Sequence, residues 1–224
     1  MEITLVKEYL RKLSESLGGV LYGTCRLDEL RDDFHHEIKR ISAKLNTGIS
    51  VGILLSPAVL DTLVDRPNML YKAHYQQVNC CLDTIALRIS MELNHLGHDA
   101  IPVPASQILD WKRMRAHLSH REIAFKAGLG WWGRNNLLVN NKYGSQVRLV
   151  TVLTDAELSP DSPVEFGCGD CFACGGVCPA GAISEEREEF DLKACHEKVS
   201  EFGRPENIGT LICGLCQQAC CGNR

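Results

Sequence analysis

Apolar residues recur at helical spacing at Ile3, Val6, Leu10, Leu13 and Leu17, and Gly18-Gly19 follows, so the chain is expected to open with an amphipathic helix over residues 3–17. Val20–Cys25 reads as a strand, and Asp28 is placed to cap a helix running through about Leu45. Gly48–Leu55 is an almost unbroken apolar run, expected as a buried strand, and Pro57 opens a short helix. Residues 69–96 predict the longest helix. Val78, Leu82, Ile85, Ile89, Leu93 and Leu96 form its apolar stripe, and Gly97 fits the residue after the cap. Ala100–Val103 is a strand that Pro102 and Pro104 place at a sheet edge. A helix near 119–127 leads into a glycine loop, and Asn136–Asn140 and Gln146–Thr154 read as strands. This alternation predicts an α/β or α+β body. The turn-rich Ser159-Pro160-Asp161-Ser162-Pro163 marks a boundary, giving a body of residues 1–160 and a module of residues 161–224.

Composition changes the picture in the last quarter, where residues 168–224 hold nine of the twelve cysteines. Eight are spaced Cys168-x2-Cys171-x2-Cys174-x3-Cys178-Pro179, then Cys195, then Cys213-x2-Cys216-x3-Cys220. The first run has the bacterial ferredoxin spacing, in which three close thiolates serve one cubane and the fourth serves the other. Cys168, Cys171, Cys174 and Cys220 are therefore assigned to one [4Fe–4S] cluster. Cys178, Cys195, Cys213 and Cys216 are assigned to a second. Two other readings compete. Disulfides need an oxidising compartment, whereas residues 1–20 read as a charged helix rather than a signal peptide, so a cytoplasmic protein is expected. Four-cysteine zinc sites pair CxxC units, a pattern that CxxCxxCxxxCP fits poorly. Cys25, Cys80 and Cys81 are expected as small buried residues. Cys221 stands where proline would usually follow the second motif and is an alternative ligand to Cys220.

The 224 residues suffice for a medium domain plus a small one, and 45% hydrophobic residues allow an ordinary core. No apolar run approaches a membrane span. Residues 161–224 carry 11 acids and 5 bases, a balance of −6 within the chain's −4. That excess suits docking to a basic electron-transfer partner and opposes non-specific nucleic-acid binding. The plainer reading makes Glu185–Asp191 a solvated connector.

Gly128-x-Gly130-x-x-Gly133 matches GxGxxG, but a helix precedes it and a strand follows. This is the reverse of the dinucleotide-binding context. Trp131, Trp132, Arg134, Asn135 and Asn136 offer flat faces and amide donors to a large planar ligand; the alternative is a helix stop with two core tryptophans. His117 and His120, three apart, are candidate proton donors, with Tyr143 and Tyr75 as further ones. Lys112, Arg113, Arg115 and Arg121 form a local basic patch, and His35, His36, His95 and His98 read as solvated.

AGLGWWGRNNLL (127–138), YGSQVRLVTVLTD (143–155) and the cysteine set together resemble the epoxyqueuosine reductases and their shorter iron–sulfur relatives. They are more distantly similar to reductive dehalogenases. YKAHYQQVNCCLDTIALRI and GHDAIPVPAS (97–106) extend the resemblance upstream. It implies a nitroreductase-related body with base-off cobalamin and a ferredoxin-like module whose two clusters pass single electrons to cobalt. Gly128, Gly130, Trp131, Gly133, Asn136 and Leu138 are the implied corrinoid contacts. His120, His117 and Tyr143 are the candidate donors, and a flavodoxin- or ferredoxin-type protein is the expected electron source. Two departures point away from tRNA as substrate. Met114 stands where the reductases carry an aspartate acid, and the chain stops at Arg224, before their helical repeat domain. The expectation is a corrinoid-dependent reductase acting on a small molecule. The rivals are an electron carrier or activator serving a corrinoid protein, and a flavin-binding reductase.

Overall fold

The computed structural model describes residues 3–110 and 115–223. In chain order the elements are α1 (Ile3–Ser16), β1 (Leu21–Arg26), α2 (His36–Ser42), β2 (Thr47–Leu54), α3 (Pro57–Leu60), α4 (Met69–His95), β3 (Ala100–Val103), α5 (His120–Lys126), β4 (Trp131–Trp132), β5 (Leu138–Val139), β6 (Val147–Thr154), α6 (Ala173–Gly176), α7 (Leu192–Phe202) and α8 (Leu215–Ala219). The fold is mixed α/β. The chain packs as two compact units, one drawn from Met1–Ile53, Asn79–Leu129 and Arg148–Val164, the other from Leu54–Val78, Gly130–Val147 and Glu165–Arg224. The cysteine-rich segment thus shares its unit with two stretches far upstream. Among the described residues no helix is long and apolar enough to cross a membrane.

The first unit is built on a four-stranded sheet in the order β1-β2-β6-β3. β1 and β2 run antiparallel, Leu21 opposite Gly52 and Arg26 opposite Thr47; β3 and β6 do likewise, Ala100 opposite Thr154 and Val103 opposite Thr151. β3 lies at the edge, where Pro102 leaves no interior ladder bond unmade. Ile49, Val51, Val150, Val152 and Leu153 are buried on these strands. Leu82, Ile85, Ile89 and Leu93 present the buried face of α4. That helix ends at Gly97, whose φ is +88°. The His98 amide donates to the Leu93 carbonyl and the Gly97 amide to Asn94, closing the last turn. Leu96, at the end of the expected stripe, is 40% exposed.

Two expectations are corrected. The helix from Asp28 to about Leu45 is interrupted: a 3-10 turn at Arg31–Asp33 precedes α2, which His35 caps by accepting from the Glu37 amide. Asp28 instead faces Arg31 at 3.3 Å, and Arg31 donates to the carbonyls of Ser42 and Leu45 and to Asn46 Oδ1. Reaching those acceptors requires the chain to fold back after residue 33. Cys80 and Cys81 are exposed rather than buried. They fall outside the stripe set by Val78, Leu82 and Ile85, so helical phase overrides residue type. Cys25 is buried, and desolvation pushes its thiol up to about 12.

In the second unit, Leu55, Leu60, Leu63, Tyr71, Ile212 and Leu215 are buried. α8 packs with α3 and with α6. Gly214 has φ +87°, and a Cβ there would meet the Tyr71 ring at 2.7 Å and Leu63 at 2.9 Å. Only glycine fits this approach. α7, which the hydrophobic pattern left unassigned, is capped by Asp191, whose carboxylate accepts from the Ala194 amide at 2.9 Å.

Candidate metal centre

All eight cysteines of the spacing pattern lie in the second unit. α6 carries Cys174, α7 carries Cys195 and α8 carries Cys216, with Cys220 as the residue capping α8. Short helices and tight turns are what bring thiols from residues 168–178 toward those of residues 213–220.

Four of the eight thiols are raised by burial and by neighbouring cysteines, and Cys174 and Cys216 are coupled across the two expected sets. Cys174 is pushed up to about 11 by burial first, then by the neighbouring thiolates of Cys220, Cys168 and Cys171. Cys220 is raised by burial and, more weakly, by Cys168 and Cys171. Cys213 is raised by burial and by Cys195 and Cys178. Cys216 is raised well above its ordinary value by burial, then by Cys213, Cys195, Cys174 and Cys178. Cys178, Cys195, Cys213 and Cys216 also line one cavity, together with Asn135, Pro179, Ala180, Ile183, Phe190, Lys198 and Val199. Four thiolates there exceed what the one ammonium of Lys198 balances, and Lys198 is itself paired with Glu201, so all four ionise only with a further cation. The donor set therefore fits a thiolate-bound metal group.

Several donors point at the sulfurs, the Leu215 amide at Cys213 among them. The Trp131 indole N–H donates to Cys168 Sγ at 3.2 Å, and the Ala182 amide to Cys178 Sγ at 3.4 Å. The Ser145 hydroxyl and amide bond the Cys220 thiol and oppose its upward shift. Behind them lies a buried polar network. Asn135 Nδ2 donates to Ser145 Oγ at 3.0 Å, Gln217 donates to the Ser145 carbonyl at 2.9 Å, and Tyr71 donates to Gln217 at 3.0 Å.

The glycine–tryptophan segment forms the hairpin β4–β5, Trp131 opposite Val139 and Trp132 opposite Leu138. The Gly133 amide closes it on the Leu137 carbonyl, with Asn136 at φ +56°. From its tip Arg134 donates to the carbonyls of Gly169 and Cys171, both at 2.9 Å, and to that of Glu185. One guanidinium thus fixes the loop carrying Cys168 and Cys171. The glycines meet the chain itself. A Cβ on Gly130 would strike the Val139 carbonyl, and one on Gly133 the Val139 side chain. In the first unit, a Cβ on Gly128 would lie 2.5 Å from the Ser162 carbonyl. Trp131 and Leu138 are buried, whereas Trp132 and Asn136 are half-exposed. Arg187 stacks on the Trp132 ring at 4.8 Å.

The candidate proton donors have different surroundings. His117 bonds Glu37 at 3.0 Å in the first unit. His120, also in the first unit, opens α5 with Nε2 2.8 Å from the Pro104 carbonyl and Nδ1 2.8 Å from Thr151 Oγ1. A carbonyl only accepts, so Nε2 carries the proton and Nδ1 accepts from the hydroxyl. Burial pushes this ring down to about 4, which keeps it neutral. Both nitrogens are committed to the fold. Tyr143 lies in the second unit, in a turn whose Asn140 accepts from the amides of Lys142 and Tyr143. Lys142 Nζ sits 5.0 Å from the Tyr143 ring centroid. Met114, Lys112 and Arg113 lie outside the described residues, which leaves Arg115 and Arg121 of the basic patch. His35, His36 and Glu37 bring ligand atoms within 4.8 Å, but His35 caps α2 and Glu37 is engaged by His117. Reading the sequence alone missed Ser145 and Ala182, which no spacing pattern marks, and offered Asn135 as a donor to a ligand where its amide instead bonds Ser145.

No family model matches the chain. The epoxyqueuosine reductase of Escherichia coli (strain K12) is 39% identical over 118 residues, 49% of this chain and 31% of that protein. The tetrachloroethene reductive dehalogenase of Desulfitobacterium hafniense is 47% identical over 136 residues, 58% of this chain and 23% of that protein. The matched segments thus span about a third or less of these curated relatives. Among solved structures, a reductive dehalogenase described in connection with B12-dependent dehalogenation superposes with a TM-score of 0.76 at 20% identity, covering 95% of this chain and 31% of that one. An epoxyqueuosine reductase bound to an epoxyqueuosine-modified tRNA stem loop superposes with a TM-score of 0.60 at 20% identity, covering 98% and 65%. In sequence and in fold, the chain is therefore related to epoxyqueuosine reductases and reductive dehalogenases.

Proposed function

We propose that this chain is an iron–sulfur oxidoreductase holding two [4Fe–4S] clusters, Cys168, Cys171, Cys174 and Cys220 on one and Cys178, Cys195, Cys213 and Cys216 on the other. Single electrons pass through them to a bound corrinoid that reduces a small substrate. The observation that carries this reading is the placement of all eight cysteines in one compact unit, with α6 packed on α8 and with Cys178, Cys195, Cys213 and Cys216 lining one cavity. Iron is preferred to zinc because the first run has ferredoxin spacing and because hydrogen bonds reach the sulfurs, a device that adjusts cluster potential. We take the body of residues 1–160 as nitroreductase-related, the module of residues 161–224 as ferredoxin-like, and the setting as cytoplasmic.

A B12-linked dehalogenase of similar fold supports the corrinoid. When bound, it supplies strongly reducing cobalt. Of the six implied contacts, Asn136 is the one whose side chain is half-exposed, so recognition through the hairpin falls to its amide. With both His120 nitrogens engaged, Tyr143, in the unit that holds the thiols, is the donor retained here.

A second reading, an electron carrier serving a corrinoid protein, is favoured by the −6 balance of residues 161–224 and by the exposure of Cys171. Anaerobic reconstitution followed by iron and sulfide analysis tests the core of both, with about eight irons per chain expected. A folded chain that binds zinc and no iron would sink it. Cobalamin titration monitored by EPR separates the two readings, since a carrier shows no change in the cobalt signal. A flavin spectrum would favour a flavin reductase. Turnover that requires an epoxyqueuosine-modified stem loop would replace the small molecule by tRNA.

A further inference from the structure

We infer that Trp131 is a positioning residue for the first cluster, setting its reduction potential through an N–H···S bond to Cys168. This rests on the iron–sulfur reading above and adds the assignment of one residue to one of the two clusters. The indole Nε1 stands 3.2 Å from Cys168 Sγ, inside the range of a hydrogen bond to sulfur. An indole N–H is a donor only, so the direction of the bond is fixed. The ring is held from several sides. Trp131 is 7% exposed, and its backbone pairs with Val139. The bare Cα of Gly167 lies against its six-membered ring, where an added Cβ would stand 2.9 Å from Cη2, 3.0 Å from Cζ2 and 3.2 Å from Cζ3. Arg134, three residues on, fastens the carbonyls of Gly169 and Cys171 on either side of the ligand loop. The donor and the thiol therefore move together.

The physical consequence has a sign. Reduction adds an electron that is shared between iron and the ligating sulfurs. A donor aimed at a sulfur stabilises the more negative, reduced state and raises the potential. The second group of four receives the Ala182 amide at Cys178 but has no indole among the donors to its sulfurs described above. Trp131 thus acts on one couple only and biases the order in which the two clusters fill.

The test uses the full chain, reconstituted anaerobically, with EPR-monitored redox titration of wild type, Trp131→Phe and Trp132→Phe. Phenylalanine keeps the apolar ring and removes the N–H. Trp131→Phe should retain the wild-type iron content and move one couple to lower potential, leaving the other in place. Trp132→Phe should leave both where they are. Gly167→Ala, which displaces the indole without touching its nitrogen, should move the same couple in the same direction and guards against a Trp131→Phe chain that fails to load. Wild-type iron content with both couples unmoved in Trp131→Phe, or in Gly167→Ala where only that variant loads, would overturn the inference and leave the iron–sulfur reading intact. A wild-type chain that takes up no iron would overturn both.

Discussion

His120 shows how a residue type that invites a catalytic reading is spent on structure. Its two nitrogens join the Pro104 carbonyl to the Thr151 hydroxyl, and α5 starts at that point. Desolvation lowers the ring from its ordinary 6.5 to about 4. The unfolded chain therefore takes up a proton below pH 6.5 that the folded chain refuses until about pH 4. Stability from this group is fully present above 6.5 and declines as the pH falls toward 4. Denaturant midpoints measured at pH 7 and pH 5 should drop in wild type and drop less in His120→Asn. Equal drops would remove His120 as the cause. His120→Ala, which leaves a buried hydroxyl and a carbonyl without their partner, should cost about 2 kcal/mol at neutral pH. Turnover, by contrast, should respond to Tyr143→Phe and not to the ring at position 120.

At the scale of elements, legibility follows length and periodicity. α4 was plain because its apolar stripe repeats over many turns, and the β2 run because both faces of that strand are buried. α6 and α8 span four and five residues and have too few positions to show any period. The region after Asp28 departs from one helix because Arg31 draws Asp28, the Ser42 and Leu45 carbonyls and Asn46 around a single guanidinium, a demand that periodicity does not display. The site divides the same way. Cysteine spacing was readable, but the partner of Trp131 lies 37 residues away and the Ser145 contact is equally non-local. The hairpin β4–β5 is where element and site meet. Gly130→Ala would drive a methyl into the Val139 carbonyl and part the Trp131–Val139 pair. Overpacking of this kind costs about 1–3 kcal/mol. The expected outcome is a lower melting temperature together with faster chelator extraction of iron. A lower melting temperature with unchanged extraction would separate the hairpin from the ligand loop.

For the whole molecule, the two units differ in what holds them. The first has a four-stranded sheet and much of the long helix α4. The second relies on short helices, a two-residue hairpin and a polar network around eight thiols. Filling those thiols contributes folding free energy that the bare chain lacks. Limited proteolysis should therefore cut the metal-stripped chain first within residues 165–224, and the reconstituted chain should resist over the same interval. Identical cleavage of the two forms would mean that the second unit stands without its metal. The −6 balance of that segment adds a second whole-molecule expectation. Reduction by a basic donor protein should slow as ionic strength rises, and salt-independent rates would dismiss the acidic segment as a docking face.

The crossing of Cys178 and Cys220 has a mechanical meaning. Suppose the chain is severed in the stretch Glu185–Glu189. One fragment keeps Cys168, Cys171, Cys174 and Cys178; the other keeps Cys195, Cys213, Cys216 and Cys220. On the proposed assignment, each fragment then owns four of the eight ligand sulfurs, three for one cluster and the fourth for the other. Neither fragment can complete a shell alone, and each holds what the other lacks. On that assignment, a nicked, loaded molecule would be held across the cut by two metal groups in addition to the packing of α8 on α3 and the Tyr71–Gln217 bond, and removing the iron would leave only those weaker contacts.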